Sequence, residues 1–164
     1  MKCVSRFLLL CFANPIPIPL DPTMVALLPP IWYSCFSNFS DHPFELDGKL
    51  WFTVEHYFQA AKFADPQQRA RIYACPSPMT AALMGKDRSI PIRADWDAIK
   101  LDVMRQALNA KFDTHQQIHD FLQATHPYPL LNYTAFDPFW GQDKRGHGQN
   151  QLGKLLMERR SRML

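Results

Sequence analysis

"WFTVEHYFQAAKF", residues 51–63, places one carboxylate, Glu55, and one imidazole, His56, among aromatic and aliphatic side chains. Val54, Tyr57, Phe58 and Ala61 recur at helical spacing. Thr53 just before them is a good N-cap residue, so the stretch predicts a helix entered at Thr53. Glu55 falls in the first turn, where a carboxylate faces the positive end of the helix dipole, a contribution of a few tenths to ~1 kcal/mol. That contribution explains the acid without any function. A carboxylate fixed on a rigid first turn and walled by rings also suits chemistry. The stretch alone leaves both readings open.

Working outward, "PFELDGKLWF" (43–52) carries Asp47-Gly48 between two apolar-rich runs. Asp-Gly is type I′ turn chemistry and predicts a β-hairpin. On the other side, Asp65-Pro66 and Ser77-Pro78 each read as an N-cap followed by a first-position proline, starting helices at about 66–74 and 78–86. Asp95 is expected to cap a longer helix, roughly 96–111, with an apolar stripe of Trp96, Ile99, Val103, Ala107 and Leu108. Thr114 is expected to cap another at 115–125, with Ile118, Phe121 and Leu122 inward. "PLLNY" (129–133) reads as a short strand and "WGQDKRGHGQNQLG" (140–153) as a glycine-punctuated loop. A last helix, about 150–162, puts Leu152, Leu155 and Leu156 on one side and Arg159, Arg160 and Arg162 near its C-terminus, where the dipole favours cations. The fold class is therefore α+β: one predominantly helical domain with a small β-hairpin.

The chain has 164 residues, 47% apolar and 20% charged, which suits one globular domain with a real core. A net charge of +3 is too weak to argue for nucleic acid or an anionic membrane, yet it leaves Lys and Arg for one anionic ligand. Cys3, Cys11, Cys35 and Cys75 are widely spaced without a CxxC pair, as reduced thiols of a cytoplasmic protein would be. The opening "MKCVSRFLLLCFANPIPIPLDP" (1–22) has Lys2 and Arg6, a short apolar run and alternating prolines. Its shape is that of a weak signal peptide, but no A-x-A site follows and the run is far too short to span a bilayer. A Pro-rich extension, or a start assigned too early with Met24 as the alternative, is the favoured reading. Residues 1–30 are accordingly set apart as a Pro-rich or leader-like extension expected to be disordered, and 31–164 as the folded domain.

Several polar residues could carry chemistry, each beside a plainer role. Asp137 precedes Pro138 in "AFDPFWG" (135–141), a common turn-forming arrangement, and Trp140 suits a core. The loop "GQDKRGHGQN" (141–150) combines Gly141, Gly146 and Gly148 with Lys144, Arg145 and His147 before a helix. Backbone N–H groups there could cradle an anion, or the loop could simply be surface; it matches neither a Walker A motif nor GxGxxG. "GKDRSIPIR" (85–93) offers Lys86, Arg88 and Arg93, a basic span or a solvated face. His115 and His119 stand four apart, a spacing able to hold zinc, but no third ligand is evident and surface histidines are expected. Neither GxSxG nor a Cys–His pairing is present, which argues against nucleophilic acyl chemistry. What remains is a pair of carboxylates, Glu55 and Asp137, each among aromatics. A flat ring could stack on Trp or Tyr at ~1–3 kcal/mol per base, and a phosphate could sit on the loop and the arginines. The carboxylates could then stabilise an oxocarbenium-like transition state and activate water. The same groups could also bind such a ligand without turnover.

"FSNF" (36–39), "DGK" (47–49), "TVEHYFQAAKF" (53–63), "SPMTAALMGKDRSIPIRADWD" (77–97), "VMRQALNAKF" (103–112) and "DPFWGQDKRGHGQNQLGKLLMERR" (137–160) occur in this order. Together they resemble the YbiA-like, or NADAR, family over about residues 31–162. The resemblance implies an N-glycosidase that splits ribose 5-phosphate from an aminopyrimidine of early riboflavin biosynthesis. The alternatives it implies are removal of ADP-ribose from modified guanine, in a nucleic-acid base for example, or binding of an ADP-ribose or NAD-derived ligand without catalysis. By position it puts catalytic roles on Glu55 and Asp137 and substrate-binding roles on Trp96, Trp140, Gly146, Gly148 and Asn150; Lys86, Arg88 and Arg93 of the basic span are the cations expected to bind substrate. The helix dipole is expected to keep Glu55 ionised, as a base or electrostatic stabiliser more than an acid. Many relatives have an acid where this chain has Asn132, which can hydrogen-bond a sugar hydroxyl or base edge but cannot be a base. Many have Arg where Lys86 stands, which keeps the charge but loses the bidentate fork. No metal, no cofactor and no membrane is expected; the partner is a small phosphorylated ribosyl compound.

Overall fold

The structure, a computed structural model, describes residues 35–134 and 136–162. The expected extension, residues 1–30, lies outside them. Strands β1 (Phe44–Leu46) and β2 (Lys49–Trp51) pair antiparallel, with Phe44 opposite Trp51. Asp47 (φ 53) and Gly48 (φ 70) both take the positive φ that a type I′ turn demands. The Asp47 carboxylate accepts the Tyr57 hydroxyl at 3.0 Å, fastening the hairpin to the helix that follows.

That helix, α1 (Val54–Ala61), is the centre of the domain, with seven of its eight residues buried. Thr53 caps it as expected: its extended backbone (φ −148) leaves Oγ1 free to accept the His56 N–H at 3.3 Å. Against α1 pack α2 (Pro66–Tyr73), α3 (Pro78–Met84) and α4 (Trp96–Thr114). Asp65 and Ser77 cap α2 and α3 through the N–H groups of Gln67 and Thr80. α5 (Gln116–Ala124) and α6 (Gln151–Ser161) close the core around Leu108, Phe112, Leu122 and Leu156. The result is one mostly helical domain with a two-stranded sheet, the expected class.

Three local expectations are corrected. Asp95 sits at the N-cap position of α4 but makes no cap bond, because its carboxylate is held by Arg93 at 2.6 and 2.9 Å. Thr114 ends α4 instead of capping α5, its hydroxyl turned back onto the Ala110 carbonyl at 2.8 Å; His115 takes the cap position, and its side chain makes no bond to the N–H groups of α5. Residues 129–133 form only an isolated bridge, Tyr133 to Gln142, and not a strand. Their backbone is satisfied by a side chain: Asn150 Oδ1 accepts from Asn132 N and Asn150 Nδ2 donates to Leu130 O, both at 2.9 Å.

Lys111 in α4 is fully buried, and its ammonium donates to Ser37 O (2.9 Å) and Ser40 Oγ (2.6 Å). Burial pushes it down to about 7.

Candidate active site

Glu55, Gln59 and Lys62 follow one another at helical spacing along one face of α1, Lys62 being its C-cap. Glu55 is only 7% exposed. Gln59 Nε2 donates to its Oε1 at 2.7 Å. Lys62 Nζ donates to Gly85 O at 3.0 Å and lies 5.9 Å from the Phe58 ring and 5.8 Å from the Trp96 ring.

Burial is the largest influence on Glu55 and pushes it up to about 7, aided by the charge of Asp137 and opposed by Gln59, Lys62 and Lys86. This corrects the expectation that the helix dipole keeps Glu55 ionised. The dipole is worth at most ~1 kcal/mol at such a position, whereas removal from water moves a carboxylate by up to several pH units. Glu55 is suited to hold a proton. Lys62 is pushed down to about 8, again mainly by burial, with Arg88 and Lys86 lowering it and Glu55 and Asp137 opposing.

Next to Lys62 opens a cleft of about 510 Å³. Its aromatic walls are Phe58, Trp96, Phe139 and Trp140, and its charged groups are Lys62, Arg88, Arg93, Lys100, Asp97 and Asp137. Phe58 packs against Trp96 at 4.9 Å and edge-on against Trp140 at 5.3 Å. Arg93 is paired with Asp95, while Lys100 is paired with Asp97 at 2.7 Å and lies 4.3 Å over the Phe139 ring. Asp137 is exposed, and its Oδ1 accepts the N–H groups of Phe139 (3.2 Å) and Trp140 (2.9 Å). It is thus at once the turn-forming Asp and a wall of the cleft.

The structure therefore brings together Trp96, Trp140, Arg88, Arg93 and Asp137. Glu55 does not line the cleft; it is one turn from Phe58 and two from Lys62 on the same helix, within range of the Asp137 charge. Lys86 is exposed and acts on Glu55 by charge alone. Asn132, Gly146, Gly148 and Asn150 are not on the cleft walls. Asn132 Nδ2 donates to Trp140 O at 3.1 Å, and buried Asn150 bridges two segments, so these two brace the wall from behind. Gly146 and Gly148 belong to the exposed loop, where at Gly148 (φ 136) a Cβ would fall 2.3 Å from Gly141 O.

Sequence reasoning missed Lys62, Gln59, Phe58, Phe139 and Lys100. For the first two a signal existed: Gln59 and Lys62 are polar residues four and seven positions past Glu55, on the same face of the helix. His115 Nε2 meets Pro43 O at 2.7 Å and His119 meets Asp120, and among the described residues no group of three or more His, Cys, Asp or Glu is placed to hold a metal. Among the described residues no helix is long and apolar enough to cross a membrane.

The NADAR domain family matches residues 30–164. The chain is 49% identical over 131 residues to N-glycosidase YbiA of Escherichia coli (strain K12), covering 80% of this chain and 82% of that protein. It is 40% identical over 132 residues to N-glycosidase Npun_R5314 of Nostoc punctiforme, covering 77% and 85%. Riboflavin biosynthesis protein PYRR of Zea mays is 39% identical over 147 residues, 80% of this chain but 24% of the maize protein. The NMR structure of Escherichia coli YbiA superposes with a TM-score of 0.73 at 49% identity, covering 78% of this chain and 76% of that one. With helices, hairpin and sequence all in agreement, this chain belongs to the NADAR family.

Proposed function

We propose that this protein hydrolyses the N-glycosidic bond of a phosphoribosyl-aminopyrimidine of riboflavin biosynthesis, releasing ribose 5-phosphate. As a NADAR member similar to N-glycosidases it is a hydrolase acting on N-glycosyl compounds. The finer reading is supported by one observation: Asp137 lines a cation-rimmed aromatic cleft, and its charge acts on the buried carboxyl of Glu55, one turn along α1 from the cleft residue Phe58. Burial pushes Glu55 up to about 7, while Asp137 is exposed and adds to that rise through its charge. Environments that set two acids apart assign an acid and a base.

In this reading Glu55 donates its proton to the glycosidic nitrogen as the C1′–N bond breaks and the electron pair leaves with the base. Asp137 faces the developing oxocarbenium charge and takes the proton of the water that adds to C1′. Both carboxyl groups then exchange protons with solvent to reset. The base stacks among Trp96, Trp140 and Phe58, and the 5-phosphate meets Arg88, Lys62 and Lys100. The free thiol of Cys75 fits a reducing compartment, the cytoplasm.

The test is incubation of the purified protein with phosphoribosyl-aminopyrimidine intermediates and, separately, with ADP-ribosylated guanosine, with products read by mass spectrometry. Free ribose 5-phosphate and aminopyrimidine are expected. Release of ADP-ribose alone would move the substrate to the guanine adduct, and tight binding without any product would leave a binding module.

A further inference from the structure

We infer that Gly85 is a positioning residue for this chemistry: the space left by its missing side chain seats Gln59 against Glu55, and its carbonyl oxygen anchors Lys62. The inference rests on the reading of Glu55 as a catalytic acid. Gly85 caps the C-terminus of α3 with φ −70 and ψ −13, a backbone any residue adopts. A glycine is therefore not needed there for conformation. It is needed for room: a Cβ at Gly85 would lie 1.8 Å from Gln59 Oε1 and 2.5 Å from its Cδ. The same residue's carbonyl accepts Lys62 Nζ at 3.0 Å. Gln59 and Lys62 are two of the three groups that favour ionised Glu55.

The seat has a chemical consequence. Gln59 Nε2 donates to Oε1 of Glu55 at 2.7 Å, so the proton of neutral Glu55 belongs on Oε2. Gln59 Oε1, turned to Gly85, is buried without a partner. An unpaired buried acceptor is unfavourable, and it is tolerated here because the amide's other end holds the acid in register. One glycine at the end of α3 thus fixes which oxygen of Glu55 transfers the proton and how readily it does so.

The colliding atoms are the tip of a flexible side chain, so Gly85→Ala should fold and displace Gln59. The experiment follows the Glu55 carboxyl directly by 13C NMR titration, with Glu55→Gln identifying its signal. The kcat/KM against pH for release of ribose 5-phosphate is measured in parallel. Gly85→Ala, Gln59→Met and the double variant are compared with the parent. Loss of the donor should raise the Glu55 midpoint by about half a pH unit or more in Gly85→Ala and in Gln59→Met, the shift one net hydrogen bond produces. In the Gln59→Met background, Gly85→Ala should add less than about 0.2 unit, because the bond it disrupts is already gone. An unmoved midpoint in Gly85→Ala, or an equal shift with and without Gln59, overturns the inference. If Gly85→Ala does not fold, Gln59→Met decides, since an unmoved midpoint there overturns it too. If Glu55→Gln turns over normally, the catalytic reading of Glu55 fails while the titration still judges the seat.

Discussion

The backbone N–H of Asn132 donates to Oδ1 of Asn150 at 2.9 Å. Asn132 passes the restraint on through its own amide, which donates to the Trp140 carbonyl at 3.1 Å. A cleft wall is thus tied to the start of α6 by two asparagines. Asn132→Ala should cost ~0.5–1.5 kcal/mol, about one net hydrogen bond. Asn132→Glu sets an acceptor against a carbonyl and should cost at least as much, with a lower kcat/KM. Urea denaturation beside kinetics checks this. Higher turnover for Asn132→Glu at unchanged stability would place the residue at the substrate instead.

Glu55→Gln should keep the fold and lose ~100-fold or more in kcat. It should also stabilise the protein at neutral pH. A carboxylate raised from 4.5 to about 7 on folding loses stability as pH climbs from the unfolded to the folded value. Gln escapes that loss, so the variant should gain on the order of 3 kcal/mol over the parent above pH ~7 and nothing below pH ~4. Denaturation at pH 4 and pH 8 measures it; a gain at both values alike would mean that Glu55 titrates normally.

Asp137→Asn retains an oxygen for the N–H groups of Phe139 and Trp140 and removes only the charge. The loop should survive within ~0.5 kcal/mol, the range of a change that breaks no contact, while kcat falls ~100-fold. The Glu55 titration midpoint should fall, since the Asp137 charge raises it. Normal turnover in this variant would reduce Asp137 to its turn.

If the proton on Glu55 is used, kcat/KM declines tenfold per unit as pH rises beyond about 7. Lys62→Met removes a charge that favours ionised Glu55, so this limb should move to higher pH while KM for a phosphorylated substrate rises. A limb moving the other way would show that Lys62 does not act on Glu55 through charge.

Dialysis against EDTA should leave turnover unchanged within about twofold, a barrier change below ~0.5 kcal/mol. The His115 and His119 rings are already engaged with Pro43 O and Asp120. Activity lost to EDTA and restored by zinc would contradict this.

Local signals in the sequence were read correctly where the chain decides alone. Thr53, Asp65 and Ser77 cap their helices because an oxygen next to the first free N–H groups needs no tertiary partner, and Asp47-Gly48 turns because both tolerate positive φ. Asp95, Thr114 and residues 129–133 were misread where a competitor elsewhere won: Arg93, the Ala110 carbonyl and the Asn150 side chain. At the site, residue identity pointed to Glu55, but its protonation did not follow from helix position. Its burial and the reach of the Asp137 charge both come from tertiary packing, which spacing along the chain does not encode. Gly85 falls within the helix expected at 78–86 and ends it one residue earlier in the structure, as the C-cap of α3; its contacts with Gln59 and Lys62 exist only because α3 meets α1.

The ammonium of Lys111 belongs to α4, yet its acceptors, Ser37 O and Ser40 Oγ, belong to the first described loop, and the Glu55 N–H donates to Asn38 O at 3.0 Å in that same loop. A chain cut after Ser40 would therefore loosen both acceptors of this buried amine, and a buried donor left unsatisfied costs ~1–3 kcal/mol; it would also bare the first turn of α1. Limited proteolysis that nicks this loop should thus abolish the fold and the Glu55 environment together, far from any cleft residue.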